Sequence, residues 1–413
     1  MRHRRLNEII AAGHSGASAM LSPLALRAAM PMGIPQQSAQ AAACTRKATI
    51  GQITDGGGRP LALPSLARYF DGLDLKKAFL YAPQAGMPEL RAAWARHLGD
   101  VGAPHSIPVV TAGMTHGLSL CAELFTSPDV PLVLAEPYWD NYDVIFTMRT
   151  GAPTLAYPYF DADRRFNVRG LADVLAGLRG PATVLLNFPS NPTGYSPYPD
   201  EVETLVRLLA DHPHPLAVVC DDAYAGLFFD PELYGRSLFA ELAARLDPGK
   251  AVVAKVDGAT KELVFFGGRV GFVTFSVGGE AGEALVEKTA VLLRGTISSV
   301  SAPVQAAVLG ALGSPTLAEE QAAVVRVLAR RWKALKDALA EAGVDAYPFN
   351  SGCFALVPLA AGQDADEVRL RLIREQSLGV IAVPAANALR VAFCSVEEAD
   401  VPDLVARLVK GIR

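Results

Sequence analysis

From about residue 80 to residue 275, short apolar runs alternate with amphipathic stretches. The runs at 107–111, 131–135, 183–187, 216–220, 251–256 and 269–275 are apolar almost throughout, the pattern of strands buried on both faces. Between them the apolar positions recur with a helical period, and this predicts helices over Met114–Phe125 and Pro199–Ala210. Strands alternating with helices predict a largely parallel α/β sheet covered on both faces, whose ligands sit at the carboxyl ends of the strands. Beyond the sheet, residues 316–345 read as one long amphipathic helix, with Arg326, Arg330, Arg331, Lys333 and Lys336 on a solvated face. The runs at 353–357, 379–383 and 389–393 then predict short strands of a smaller α+β unit. Residues 1–45, rich in alanine and broken by Pro23, Pro31 and Pro35, read as a helix followed by an irregular arm, and Thr54-Asp55-Gly56-Gly57-Gly58-Arg59-Pro60 as a turn cluster. The expected division is an arm with part of a small domain (1–65), a large domain (66–305) and a small carboxyl-terminal domain (306–413).

Composition narrows the classes. With 413 residues, 51% hydrophobic and 19% charged, the chain can bury a large core and suits two or three domains. The net charge is −4 and the only basic tract is His3-Arg4-Arg5, so no nucleic-acid partner is expected. No apolar run approaches the ~18 residues of a membrane span, and no apolar core of signal type follows Arg2, Arg4 and Arg5. Cys44, Cys121, Cys220, Cys353 and Cys394 are scattered and odd in number, which points to a reducing cytoplasm without structural zinc. His97, His105 and His116 have no metal-ligand spacing.

Three polar clusters follow successive predicted strands. Asn187-Phe188-Pro189-Ser190-Asn191-Pro192-Thr193-Gly194 turns sharply after the first, Asp221-Asp222-Ala223-Tyr224 follows the second, and Asp257-Gly258-Ala259-Thr260-Lys261-Glu262 the third, with Arg269 eight residues after the lysine. Singly these are an ordinary turn, a helix-capping acid and a surface lysine. A lysine drawn into an apolar interior, however, loses affinity for its proton and becomes an amine able to form a Schiff base with a carbonyl.

Together, in this order, the clusters resemble fold-type-I, class I/II aminotransferases that depend on pyridoxal 5′-phosphate, over a stretch from about Gly56 to Phe393. The resemblance implies a mostly parallel seven-stranded sheet in a three-layer sandwich with a smaller α+β domain. It implies that Lys261 carries the cofactor, that Asp221 holds the protonated ring nitrogen, and that Tyr224 and Asn191 donate to the ring's phenolic oxygen. In Glu136-Pro137-Tyr138-Trp139-Asp140-Asn141-Tyr142, Trp139 matches the aromatic residue stacked on the ring. Thr111-Ala112-Gly113-Met114-Thr115-His116-Gly117 matches the turn into a helix whose amides bind the cofactor phosphate, through Gly113, Met114 and Thr115, with Arg269 and Thr260 adding contacts. Tyr81 matches a tyrosine that reaches the phosphate of the other subunit, which implies a homodimer with shared active sites. Arg390 matches the arginine that grips the substrate α-carboxylate, and Arg294 the partner-subunit arginine that reads a distal carboxylate. Trp139 and Asn191 are implied at the substrate as well.

The implied activity is amino transfer between an L-amino acid and a 2-oxo acid. The same motifs serve elimination or replacement, decarboxylation, cyclisation and oxidation. One departure stands out: the family carries serine or threonine three residues before the lysine, and this chain has Gly258.

Overall fold

The computed structural model describes residues 2–31, 33–55, 58–72, 74 and 78–413. Gly56 and Gly57 of the predicted turn cluster lie outside them; in the rest of that cluster Asp55 N–H donates to Arg59 O at 2.8 Å and Gly58 N–H to Asp55 O at 2.9 Å.

The strands in chain order are β1 (Arg46–Lys47), β2 (Val109–Thr111), β3 (Leu132–Glu136), β4 (Thr154–Pro158), β5 (Ala182–Asn187), β6 (Leu216–Asp221), β7 (Ala251–Gly258), β8 (Gly271–Phe275), β9 (Phe354–Pro358), β10 (Leu378–Gly379), β11 (Ile381–Val383) and β12 (Ala388–Ala392). Seven of them form the central sheet, in the order β2-β8-β7-β6-β5-β3-β4. Every pairing among β3 to β7 is parallel, and β8 runs antiparallel to both β7 and β2. This is the mostly parallel seven-stranded sheet that the motifs implied.

Alternation along the strands builds two apolar layers, because successive side chains point to opposite faces. Val133, Val184, Val218 and Val253 pack under the helices Val168–Ala176, Pro199–Ala210 and Phe239–Arg245. Leu134, Leu185, Val219 and Ala254 face the helix Met114–Phe125 on the other side. Both helices predicted from periodicity have the observed bounds. A second sheet, β11-β12-β9, is antiparallel and packs with the helices Leu317–Glu341, Ala365–Gln376 and Val401–Ile412.

Four local expectations change. β4 lacks a continuous apolar run because it is an edge strand, paired only to β3 and partly exposed. The run at 379–383 divides between two sheets: Leu378–Gly379 pairs with β1 and Ile381–Val383 with β12. The expected first helix spans Arg2–Gly13, but the arm after it is not irregular throughout and forms the short helices Ser15–Ala19, Pro23–Arg27 and Ile34–Gln40. Arg331 leaves the solvated face of its helix; it is 2% exposed and donates to Cys394 O, Thr54 O and Glu397 Oε2 at 2.5, 2.9 and 2.6 Å. Three oxygen acceptors satisfy the guanidinium that a buried arginine requires.

Candidate active site

The central strands end level with one another. Asn187, the last residue of β5, pairs with Asp221, the last of β6, and Asp221 pairs with Val256 near the end of β7. Chain direction reverses beyond this line, so three loops converge there. Continuing the row of Val219, Asp221 faces the Met114–Phe125 layer. Its Oδ2 accepts from the Tyr142 hydroxyl at 2.5 Å and its Oδ1 from Ala223 N–H at 3.1 Å. Burial nonetheless dominates and pushes its pKa up to about 6, the two hydrogen bonds opposing the rise. Asp222 takes the opposite face, as alternation demands, and ion-pairs with the buried Lys255 at 2.9 Å.

Lys261 sits in the one-turn helix Ala259–Glu262 just after β7. Its Nζ donates to Gly51 O at 2.6 Å and lies over the rings of Tyr224 and Phe266 at 5.3 and 4.8 Å. Removal from water lowers its pKa, and the positive charges of Arg390 and Arg269 act in the same direction. This is the environment that makes a lysine a usable amine at neutral pH.

A stack of glycines brings the neighbouring backbone into place. A Cβ on Gly258 would lie 2.7 Å from both Val270 O and Gly271 Cα, and one on Gly271 would lie 2.7 Å from the Gly113 carbonyl carbon. No side chain fits between β7, β8 and the start of the Met114–Phe125 helix. The Gly258 departure from the family pattern is therefore a packing requirement of this chain. Gly113, at φ +80, begins that helix, and a Cβ there would meet Arg269 Nη2 at 2.6 Å. The Arg269 guanidinium thus lies against a helix N-terminus, where backbone N–H groups lack intrahelical partners. The hydroxyl of Thr260, in the same cavity, is buried without a hydrogen-bond partner. Cation, free amides and an unpaired hydroxyl together make an anion cradle.

At the other end lies Arg390, 1% exposed on β12. It donates through Nη1 to Asn191 Oδ1 at 2.7 Å and through Nη2 to Thr49 O at 2.6 Å, and stacks over Phe354 at 4.2 Å; its Nε has no partner. Asn191 is in turn held by its own N–H, which donates to Asn187 Oδ1 at 2.8 Å.

One cavity of about 300 Å³ collects Met114, Thr115, Trp139, Asn191, Asp221, Tyr224, Thr260, Lys261, Arg269 and Arg390 from the sequence-based set. Gly113 contacts the guanidinium at its edge. Two residues stand apart: Tyr81 is 94% exposed, and Arg294 is exposed in the last turn of the helix Gly279–Ile297. Sequence reasoning missed Tyr142, Asn187 and Gly51. Tyr142 lies in the segment that supplied Trp139 and Asn187 opens the Asn-Pro-Thr-Gly turn, so both were within reach; Gly51 acts through a carbonyl that any residue carries.

A sheet of this topology, with a desolvated lysine, a buried acid and an anion cradle around one cavity, defines a fold-type-I transferase site. The chain matches the model of aminotransferase class I and II over residues 49–408 and belongs to that family. It is 30% identical over 241 residues to an aspartate aminotransferase of Rhizobium meliloti, a match covering 57% of this chain and 55% of the relative, so it spans about half of that protein's length. It is 27% identical over 339 residues to an aspartate/prephenate aminotransferase of Thermus thermophilus, covering 77% and 80% of the two chains. Its fold is similar to that of an aminotransferase from Anaerococcus prevotii, with a TM-score of 0.83 at 23% identity over 94% of this chain and 98% of the other. The family depends on pyridoxal 5′-phosphate. The residues present fit that group: the cradle at Gly113, Thr260 and Arg269 suits its phosphate, Asp221 its ring nitrogen and the Lys261 amine its aldehyde.

Proposed function

We propose that the protein is a pyridoxal-phosphate-dependent aminotransferase that moves an amino group between an L-amino acid and a 2-oxo acid. The observation that carries this reading is the convergence of the Lys261 amine, the Asp221 carboxylate and the Arg269 cradle on a single cavity.

In this reading Gly113, Met114, Thr115, Thr260 and Arg269 would hold the phosphate, Trp139 would stack on the ring, and Asn191 and Tyr224 would donate to its phenolic oxygen. When bound, the cofactor supplies an electron sink for the pair released when the substrate Cα–H bond breaks. Asp221, fixed by Tyr142 and Ala223, would keep the proton on the ring nitrogen. Arg390 and Asn191 would orient the substrate by its α-carboxylate. Lys261 Nζ, with its proton affinity lowered by burial, would take the proton from Cα. Holding donor and base side by side supplies the orientation that solution lacks.

Tyr81 and Arg294 take their roles across a homodimer, Tyr81 at the partner's phosphate and Arg294 at a distal substrate carboxylate. The exposed run Phe79-Leu80-Tyr81 supports such an interface, since a contiguous apolar patch favours burial against a partner. The proposed division of labour places the cofactor on the large domain, 66–305, and the substrate arginine on the small one, 306–413, with 1–65 as an arm that also supplies part of the small domain. All five cysteines are free and buried, in keeping with a reducing cytoplasm. Among the described residues no helix is long and apolar enough to cross a membrane.

The test is Lys261→Ala. The variant is expected to lose both turnover and the visible absorbance that borohydride abolishes, while remaining folded by circular dichroism. Retained turnover overturns the proposal.

A further inference from the structure

A second cavity, of about 230 Å³, abuts the first and shares Ile34, Trp139, Asn191 and Arg390 with it. Its remaining polar wall comes mainly from the end of β3 and the segment after it, which contribute Glu136, Tyr138, Asp140 and Asp143. Ile381 and Val383 of β11 and Pro384 just beyond it complete the lining. Among the described residues of this wall, Arg390 is the only base against three carboxylates.

The best-placed of these acids is Asp140. It is half-buried, and the backbone N–H groups of Ile34 and Asn141 lie near enough to favour its charged form. A Cβ on Gly33 would lie 1.9 Å from Asp140 Oδ2, so that approach requires glycine at position 33. Burial pushes the carboxyl's pKa up and the nearby Arg390 charge opposes this. Asp143 Oδ1 is engaged by the Tyr138 hydroxyl at 3.0 Å. Arg390 stands at the junction of the two cavities with its Nε buried and unpartnered, a donor awaiting an acceptor.

We propose that the second cavity is the subsite for the substrate side chain, that it takes side chains ending in an ammonium or guanidinium, and that Asp140 reads that charge. The inference rests on the amino-transfer reading. With the α-carboxylate on Arg390, which lines both cavities, the second cavity is the space adjoining that end of the substrate into which the remaining substituent of Cα would extend. A distal carboxylate there meets Asp140, Glu136 and Asp143 with no base from this chain beyond the arginine already engaged. An apolar side chain leaves the half-buried Asp140 charge with only nearby backbone N–H groups and the field of Arg390, whereas a cation beside it adds a counter-charge and offsets the loss of water. The dicarboxylate that Arg294 of a partner would read is then the other substrate of the exchange.

The experiment compares L-lysine, L-norleucine and L-aspartate on the cofactor-loaded protein, by calorimetric binding and by kcat/KM, in wild type and Asp140→Asn. Asparagine keeps an acceptor oxygen for Ile34 N–H and removes only the charge. Wild type is expected to favour lysine over its neutral analogue norleucine, and Asp140→Asn to lower the lysine-to-norleucine ratio about tenfold or more in both measurements, as for loss of a charged hydrogen bond. A wild type that prefers norleucine, or a ratio that Asp140→Asn leaves unmoved, overturns the subsite. Lysine bound with an Asp140-dependent preference but no oxo acid released upholds the subsite and overturns amino transfer; turnover of aspartate or norleucine with lysine refused does the reverse.

Discussion

The Tyr142 hydroxyl donates to Asp221 Oδ2 at 2.5 Å, from a ring that is itself almost wholly buried. Without this bond the carboxylate would keep a single hydrogen bond, from Ala223 N–H, in surroundings that already favour its neutral form. Tyr142 therefore acts as a positioning residue for the acid.

Tyr142→Phe removes that donor and nothing else of comparable size. The pKa of Asp221 should rise further above about 6, and cofactor affinity at pH 7.5 should fall by about tenfold, the equivalent of 1–2 kcal/mol for a hydrogen bond to a charged group. Absorbance titration with pyridoxal phosphate measures it. An unchanged affinity removes Tyr142 from this role.

The Asp221 pKa also makes a stability statement. Burial holds it at about 6 in the folded state, above the ordinary aspartate value of 3.8. Below pH 3.8 the group is neutral in both states and carries no penalty. Between pH 3.8 and 6 the unfolded chain gives up this proton while the folded state holds it, so stability falls, and above pH 6 the buried charge costs about 3 kcal/mol. In the cofactor-free protein, Asp221→Asn should therefore be more stable than wild type above pH 7, and this advantage should fall steadily between pH 6 and 3.8 and be lost below about pH 3. Urea unfolding across that range checks it; a difference independent of pH contradicts it.

Gly258→Ser restores the family's hydroxyl and shows why this chain lacks it. The new Cβ would stand 2.7 Å from Val270 O and Gly271 Cα, both backbone atoms. Strand β7 must part from β8, at about 1–3 kcal/mol, the usual cost of overpacking. Thermal unfolding should show the loss. A variant of wild-type stability that binds the cofactor more tightly would mean that the strands separate freely.

Sharing of the site across subunits is tested by mixing. A hybrid of a Lys261→Ala chain and a Tyr81→Ala chain contains one site with both wild-type residues. Unfolding and refolding the two inactive variants together should recover activity that neither has alone. No recovery, with hybrids shown to form by mass spectrometry, places Tyr81 outside the partner's site.

Much of this architecture was legible because burial on both faces leaves a local mark. β5, β6 and β7 are apolar runs for the same reason that they are central, and the polar residues after them stand where a parallel sheet receives ligands. The edge strand β4, paired on one side, carried no such mark. Arg331 illustrates the other limit: its helical position is ordinary, and three acceptors supplied by residues 54, 394 and 397 draw it inside.

The sequence by itself determined the order of strands and helices and the chemical types at their ends: a lysine, an acid, an amide and an arginine, which local propensity and burial place without reference to distant residues. Only the tertiary structure decided how they meet. That Tyr142 completes Asp221, that Gly51 receives Lys261, and that Gly258, Gly271 and Gly113 stack beside Arg269 all depend on contacts between residues far apart in the chain. Such contacts leave no periodic signature, because side-chain reach and backbone clearance are settled by packing in three dimensions.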